Sequence, residues 1–387
     1  MDDFETQLSG DLESIHEAGL WRELRAIESA QTSRIRFDGC EILNFSSNDY
    51  LGLAAHAALG QVATEAIERF GVGSGASRLV CGSLNPHHEL EVALAGWLDA
   101  ESALVFSSGF AAAQGAITSV VGKGDVVVID KKVHASTVDA TKLSGARLRV
   151  FRHNDLGNLE SILRWANDKG GRVLVVTETV FSMDGDSPNL ENLVELKERY
   201  GAWLMLDEAH ALGCYGEDGG GLAKRLAKRV EIRLGTLGKA VGAAGGFVCG
   251  SRFLIELLVN KARSFIFSTA PSPAVSAAAF AGIKLIRSSE GAELRNRLWA
   301  RVEQLRNGVV GQGWMVQNNP SVILPIVIGN EAKAMAAMDQ LREAGLFIPS
   351  IRFPTVARNE ARLRVTVSAS HTEDDVARLR DALATIR

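Results

Sequence analysis

The 387-residue sequence predicts an α/β fold built on a mostly parallel sheet, and three observations carry that expectation. Short β-rich runs alternate with helical segments between about residues 100 and 250, several of those runs are apolar throughout, and polar loops follow them. Strands that are apolar at every position suit a sheet covered on both faces. In such sheets ligands gather beyond the carboxyl ends of the strands, so the loops are where function should lie.

In chain order, residues 4 to 27 carry an amphipathic pattern that predicts an opening helix on the outside of the molecule. The strand candidates are Ala103 to Phe106, Val126 to Ile129, Arg147 to Phe151, Val173 to Thr177, Trp203 to Leu206, Ile232 to Leu234 and Phe247 to Cys249. After the first of them, the alanine-rich run Ala111 to Ile117 predicts a helix. The character changes past about residue 285. Glu293 to Asn307 is rich in Arg and Glu at helical spacing, Val322 to Ile328 is a separate apolar run, and Ala332 to Ala344 reads as a helix stopped by Gly345. Arg362 to Val367 alternates as a strand, and Thr372 opens a last helix whose first turn, Glu373, Asp374 and Asp375, suits the helix dipole. The expected division is an N-terminal helical segment over 1–50, a large α/β domain over 51–284 and a smaller α+β domain over 285–387.

Composition excludes some classes. Hydrophobic residues at 46% and charged residues at 23% are ordinary for a globular protein, and a net charge of -4 with a pI near 6.1 offers no basic surface for nucleic acid or acidic lipid. Cys40, Cys81, Cys214 and Cys249 are scattered without a Cys-x-x-Cys pair, which fits a reducing compartment. The start, Met1-Asp2-Asp3-Phe4-Glu5, is acidic and unlike a signal peptide. Phe265 to Ile283 is uncharged but broken by Pro271 and Pro273, so it reads as buried loop and helix. A cytoplasmic enzyme is the expectation.

Several loops follow strand candidates. Asp207-Glu208-Ala209-His210 and Gly235-Thr236-Leu237-Gly238-Lys239 bring an acid, an imidazole and a lysine to strand ends, where they could surround one flat, electron-withdrawing cofactor. That set suggests pyridoxal phosphate chemistry: Asp207 at the ring nitrogen, His210 at the ring hydroxyl and Lys239 forming the Schiff base. Ser107-Ser108-Gly109-Phe110, at a helix start, could present backbone N–H groups to a phosphate, and equally reads as an ordinary cap. His134 could stack on the ring, although a lone histidine is more often a surface or core residue. Ser182, in Thr179 to Gly185, adds a hydroxyl, while Asp184-Gly185-Asp186 also reads as a turn. His87-His88-Glu89 invites a metal reading, but adjacent histidines on a helix diverge, and no metal is expected. Gly71-Val72-Gly73-Ser74-Gly75 lacks the Gly-Lys-Ser/Thr of a phosphate loop.

Taken together, the order of these loops resembles the fold-type I aminotransferase pattern of pyridoxal phosphate enzymes, with a seven-stranded sheet. Asn44 to Leu53, Gly73 to Arg78, Phe181 to Asp186, Gly235 to Lys239, and Pro354-Thr355-Val356 with Arg362-Leu363-Arg364 resemble the α-oxoamine synthase family, from about residue 20 to the end. Within it, Ile351 to Val356 is most similar to the branch that condenses L-alanine with a pimeloyl thioester carried by coenzyme A or acyl carrier protein. The resemblance implies pyridoxal 5'-phosphate held by Ser108, Gly109, Phe110, His134, Ser182, Asp207, His210, Thr236 and Lys239, with Lys239, His134 and Asp207 catalytic. It also implies a homodimer in which Thr269 crosses to the partner's cofactor phosphate. Arg352 should bind the amino-acid carboxylate with Asn48 assisting from the partner subunit, Thr355 should lie near the substrate, and Arg22 near the acyl group. Gly238 replaces the serine of many relatives, and Leu79 stands where some members of the branch have histidine. A glycine-using member of the family and a catalytically silent partner subunit are the alternative readings; Lys239, Asp207, His134 and His210 weigh against the second.

Overall fold

The computed structural model describes residues 3–317 and 319–386; Met1, Asp2, Asn318 and Arg387 lie outside the described residues, including the first two of the acidic start. The chain opens with a helix, Phe4–Glu17, whose N-terminus is capped by the Asp3 carboxylate and none of whose residues is buried. It is shorter than the amphipathic pattern suggests. Gly19 takes φ +65°, its N–H bonds to His16 O, and the Leu20 N–H bonds to Ile15 O, the αL closure that ends a helix whatever apolar residues follow. After this helix the N-terminal segment goes on to an antiparallel hairpin of β1 (Arg34–Phe37) and β2 (Cys40–Asn44).

Seven strands then build the large sheet: β3 (Ser102–Phe106), β4 (Val126–Asp130), β5 (Arg147–Phe151), β6 (Val173–Glu178), β7 (Trp203–Asp207), β8 (Ile232–Thr236) and β9 (Gly246–Gly250). Their order is β3-β9-β8-β7-β6-β4-β5, with β5, β4, β6, β7 and β8 parallel and β9 antiparallel to both of its neighbours. Every strand candidate lies within one of these elements. The fold is thus α/β, with a mixed but mostly parallel sheet.

Strand β4 shows why the runs lack alternation. Val127 and Ile129 pack on one side with Ile117, Val176 and Met205, while Val126 and Val128 pack on the other with Leu159, Leu163 and Leu193. Both faces are covered, and each such side chain contributes about 1.5–3 kcal/mol. Because the central strands are parallel, β4, β6, β7 and β8 end on one edge, at Asp130, Glu178, Asp207 and Thr236.

The last quarter of the chain adds β10 (Ile323–Gly329), β11 (Leu346–Phe347), β12 (Ser350–Ile351) and β13 (Ala361–Thr366). Three of them form a sheet in the order β10-β13-β12, whereas β11 pairs in parallel with β2, so the N-terminal hairpin is stitched to the C-terminal part. Residues 284 and 285 lie in the last turn of helix Pro273–Ile286. Among the described residues no helix is long and apolar enough to cross a membrane. His87 is buried, with Nε2 on Pro271 O, and His88 turns instead to Ser83, so the two histidines diverge.

One polar clamp ties three of the strand-end loops together. His153, just past β5, donates from Nδ1 to Asp130 Oδ1 (2.9 Å) and from Nε2 to Asp186 Oδ2 (2.8 Å), and its ring meets Phe181 edge-on at 4.4 Å. Burial opposes its protonation, but the two carboxylates outweigh burial and raise its pKa from 6.5 to about 9. Its contribution to stability is therefore complete below its unfolded pKa and lost as pH rises through about 9. Substituting His153→Asn should lower the unfolding free energy by roughly 2–3 kcal/mol near pH 6, with the gap closing above about pH 9, as read from urea denaturation at each pH.

Candidate active site

The floor of the site is made by neighbouring strands. Glu178 at the end of β6 is the register partner of Asp207 at the end of β7, and both residues are buried. The Asp207 carboxylate accepts from the Ala209 N–H (2.9 Å). The chain then makes a helical turn, with the Ala211 N–H bonded to Glu208 O, which brings His210 round to the same side. Glu208 points the opposite way and pairs in the interior with Arg233, at 2.8 Å from Nε and 2.5 Å from Nη2.

Lys239 lies on the loop after β8, with Nζ 2.8 Å from His210 Nε2. Beyond His210 the hydrogen bonds continue to Tyr50, Asn48 and Arg364. Arg364 Nη2 donates to Asn48 Oδ1 (3.0 Å), and the Tyr50 hydroxyl lies between that oxygen (3.1 Å) and His210 Nδ1 (2.7 Å). His210 thus bridges two partners, with Tyr50 Oη at Nδ1 (2.7 Å) and Lys239 Nζ at Nε2 (2.8 Å). Burial, reinforced by the Lys239 and Arg364 charges, drives the His210 pKa well below its usual range, consistent with a neutral ring. Burial also lowers Lys239, to about 8, against the opposing pull of Asp207 and Glu178. Burial raises Asp207, with Lys239 pulling back.

Next to this group is an anion cradle. Ser108 caps helix Gly109–Val120 by accepting from the Ala111 N–H (3.1 Å), so the helix starts at Gly109 with its first amides turned outward. A Cβ at Gly246 would sit 2.5 Å from Gly109 Cα, and one at Gly109 would sit 3.7 Å from Thr236 Cβ. The helix start, β9 and the lysine loop therefore meet almost backbone to backbone. Thr236 Oγ1 bonds to Gly245 O (3.0 Å) and accepts from the Gly238 N–H (3.2 Å), bracing that loop. An outward helix start, a lysine of lowered pKa, a buried acid and an imidazole fit the phosphate, the carbonyl carbon and the ring of pyridoxal phosphate.

The other expected residues divide. His134 is exposed, its ring oriented by Ser136 through Oγ (2.8 Å) and N–H (3.2 Å), and its own backbone N–H is held by Glu178. Ser182 is half-buried, and its carbonyl accepts from Arg364 Nε (2.6 Å). Asn48 reaches the site within the same chain, through Tyr50 and Arg364. Arg352, by contrast, donates to Trp21 O (3.1 Å), and Thr355 and Arg22 are exposed beside that contact or near it in sequence. Thr269 is exposed on a loop bridged to Ser77. Tyr50, Glu178 and Arg364 are the participants that no motif singled out by role. A charge at the buried end of an apolar strand was the available signal for Glu178, and Arg364 was visible only as one of several arginines near the C-terminus.

The family model for aminotransferase class I and II matches residues 41–383. The chain is 45% identical over 382 residues to an 8-amino-7-oxononanoate synthase of Geobacter sulfurreducens, covering 98% of this chain and 97% of that one. It is 42% identical over 367 residues to the enzyme of the same description from Thermoanaerobacter pseudethanolicus, covering 94% and 92%. Among solved structures, a serine palmitoyltransferase from S. paucimobilis with a bound pyridoxal phosphate–myriocin aldimine aligns at TM-score 0.93 and 27% identity, over 100% of this chain and 98% of that one. The 8-amino-7-oxononanoate synthase from Francisella tularensis aligns at TM-score 0.77 and 27% identity, over 89% and 97%.

The lowered basicity of Lys239 sets a pH dependence. Covalent capture of pyridoxal phosphate by the cofactor-free chain should accelerate about tenfold per pH unit below about 8 and level off above it. Stopped-flow absorbance would check this; a rate still climbing steeply towards the ordinary lysine value of 10.5 contradicts it.

Proposed function

The chain belongs to the class I and II aminotransferase family and, within it, to the 8-amino-7-oxononanoate synthases, and from that membership we propose that it condenses L-alanine with a pimeloyl thioester in biotin biosynthesis, releasing carbon dioxide and free thiol. The observation that carries the reading is the Lys239 amine, 2.8 Å from His210 and facing buried Asp207, in a chain 45% identical to such an enzyme along its whole length.

Pyridoxal phosphate, when bound, supplies the electron sink that stabilises negative charge at the amino acid's Cα. The chain supplies everything that orients and protonates. Asp207 provides the negative charge that would hold a proton on the ring nitrogen, and the amides at Gly109 and Phe110 would bind the phosphate. Lys239 would hold the cofactor through Nζ and, once displaced by alanine, carry a proton to and from Cα, a task that needs an amine with a pKa near neutrality. His134 would cover the ring, and Ser182 would stand beside it.

The alanine carboxylate falls to Arg364 in this reading. Its guanidinium faces Asn48 at 3.0 Å, and its charge is felt by Tyr50, His210 and Lys239, whereas Arg352 is engaged with Trp21. The acyl carrier, coenzyme A or acyl carrier protein, the placing of Arg22 near the acyl chain, and a homodimer in which Thr269 serves the partner's phosphate remain parts of the proposal.

Substituting Lys239→Ala should eliminate the borohydride-reducible lysine adduct and lower turnover by at least about 10⁴-fold. Mass spectrometry of the product from alanine and pimeloyl thioester tests the reaction itself: 8-amino-7-oxononanoate is expected, and a product formed only from glycine and a short acyl group contradicts it. For Arg364→Ala, KM for alanine should rise on the order of 100-fold while cofactor binding is retained, in keeping with the loss of a charge-assisted pair. Steady-state kinetics with cofactor absorbance would separate the two effects.

A further inference from the structure

Glu178 has no part in the roles above, yet it occupies the middle of the site. Its residue is 4% exposed, and it sits opposite Asp207, where a second buried carboxyl is costly unless its surroundings compensate. Two of its partners are backbone amides from different loops. The His134 N–H donates to Glu178 Oε1 at 2.6 Å, and the Ser182 N–H also hydrogen-bonds to this carboxyl. One loop follows β4 and carries the ring expected to cover the cofactor; the other follows β6 and carries the Ser182 hydroxyl, with its carbonyl on Arg364. On its other side Glu178 interacts with Asp207 and with the Lys239 amine.

We propose that Glu178 is a positioning residue for the reaction, fixing the His134 and Ser182 loops to the floor of the site and presenting a second acidic group to Lys239. The inference rests on the pyridoxal phosphate reading of the same pocket. Its two parts depend on different features of the side chain. Anchoring the His134 loop needs an acceptor at Oε1, which glutamine also has. The acidic role needs the charge, which glutamine lacks. Aspartate keeps the charge but is one methylene short of the two amides.

The electrostatics follow from that geometry. Burial, and Asp207 next to it, raise the pKa of Glu178 to about 8, level with Lys239, while Lys239 and the two amides oppose the rise, so its charge develops as pH passes through that range. Glu178, Asp207 and Lys239 therefore titrate as a unit, and Arg364 and the neutral His210 also face Lys239. Removing the Glu178 charge leaves Lys239, as pH passes through about 8, with only Asp207 to favour its protonated form.

The test uses the holoenzyme, with two readouts that do not depend on turnover: the pH midpoint of the bound cofactor's absorbance and the dissociation constant for pyridoxal phosphate. Glu178→Gln should move the midpoint down by roughly half a pH unit or more and leave the dissociation constant within about threefold of the wild type. Glu178→Ala should show the same shift and also weaken cofactor binding at least about tenfold, with a loss of the bound cofactor's circular dichroism. Should the alanine variant fail to fold, Glu178→Asp carries the anchoring arm: an unmoved midpoint with weakened binding is expected. An unshifted midpoint in Glu178→Gln overturns the proposal, as does unchanged affinity in the alanine or aspartate variant. A wild-type chain that binds no pyridoxal phosphate overturns the functional reading and this inference together, whereas normal binding with an unshifted Glu178→Gln overturns this inference alone.

Discussion

The pairing of Glu178 with Asp207 across β6 and β7 puts two carboxyl groups side by side at the buried edge of an apolar sheet, and much of the surrounding architecture answers that cost. Two adjacent carboxylates resist joint ionisation unless a cation or hydrogen-bond donors reach them. Here the lysine loop after β8 delivers Lys239, and the turns after β4, β6 and β7 deliver backbone amides from His134, Ser182 and Ala209. The same edge also carries Glu208, which strand alternation turns to the opposite side. It is compensated separately by Arg233 and by the Ala223 N–H, so the acid meant for the site and the acid meant for the interior never compete for one partner.

The Ser182 loop is held from three directions. His153 bridges Asp186 to Asp130 from the sheet side, Glu178 holds the Ser182 amide from below, and β13 closes over it, with Arg362 on Asp184 (2.6 Å) and Arg364 on the Ser182 carbonyl. Arg362 and Arg364 are two residues apart on one strand and so share a face. That face joins the C-terminal part to the strand-end edge of the large sheet. The segment around Asn48 joins from a third part of the chain, because the β2 hairpin pairs with β11 and the Thr366 N–H bonds to Phe45 O. Asn48, Tyr50 and Arg364 thereby reach a pocket whose lysine comes from the large sheet.

The parts of the site legible in the sequence were those at the ends of apolar strands. An acid directly after Trp203 to Leu206, or a lysine after Ile232 to Leu234, can be placed because parallel strands end on one edge. Arg352 and Arg364 show where that kind of reading stops. Both lie near the C-terminus in arginine-containing motifs, and a linear pattern does not say which guanidinium turns towards Lys239. Arg364 does so because it sits on β13 facing the Ser182 loop, whereas Arg352 lies beyond β12 within reach of Trp21 O. The opening helix shows the opposite failure: the apolar pattern continues past Gly19, but one αL residue ends the helix.

Local patterning alone determined the seven strands, the loops that follow them and the chemical set of Asp207, His210 and Lys239, because burial on both faces leaves its mark residue by residue. Tertiary structure decided the strand order, with β9 inserted antiparallel between β3 and β8, and the pairing of the N-terminal hairpin with β11. It also decided that Glu178 faces Asp207 and that Tyr50, Asn48 and His210 meet beside Lys239. These are matters of register and of shared hydrogen-bond donors between distant segments. No single stretch of sequence carries them, since each depends on which second stretch packing brings alongside it.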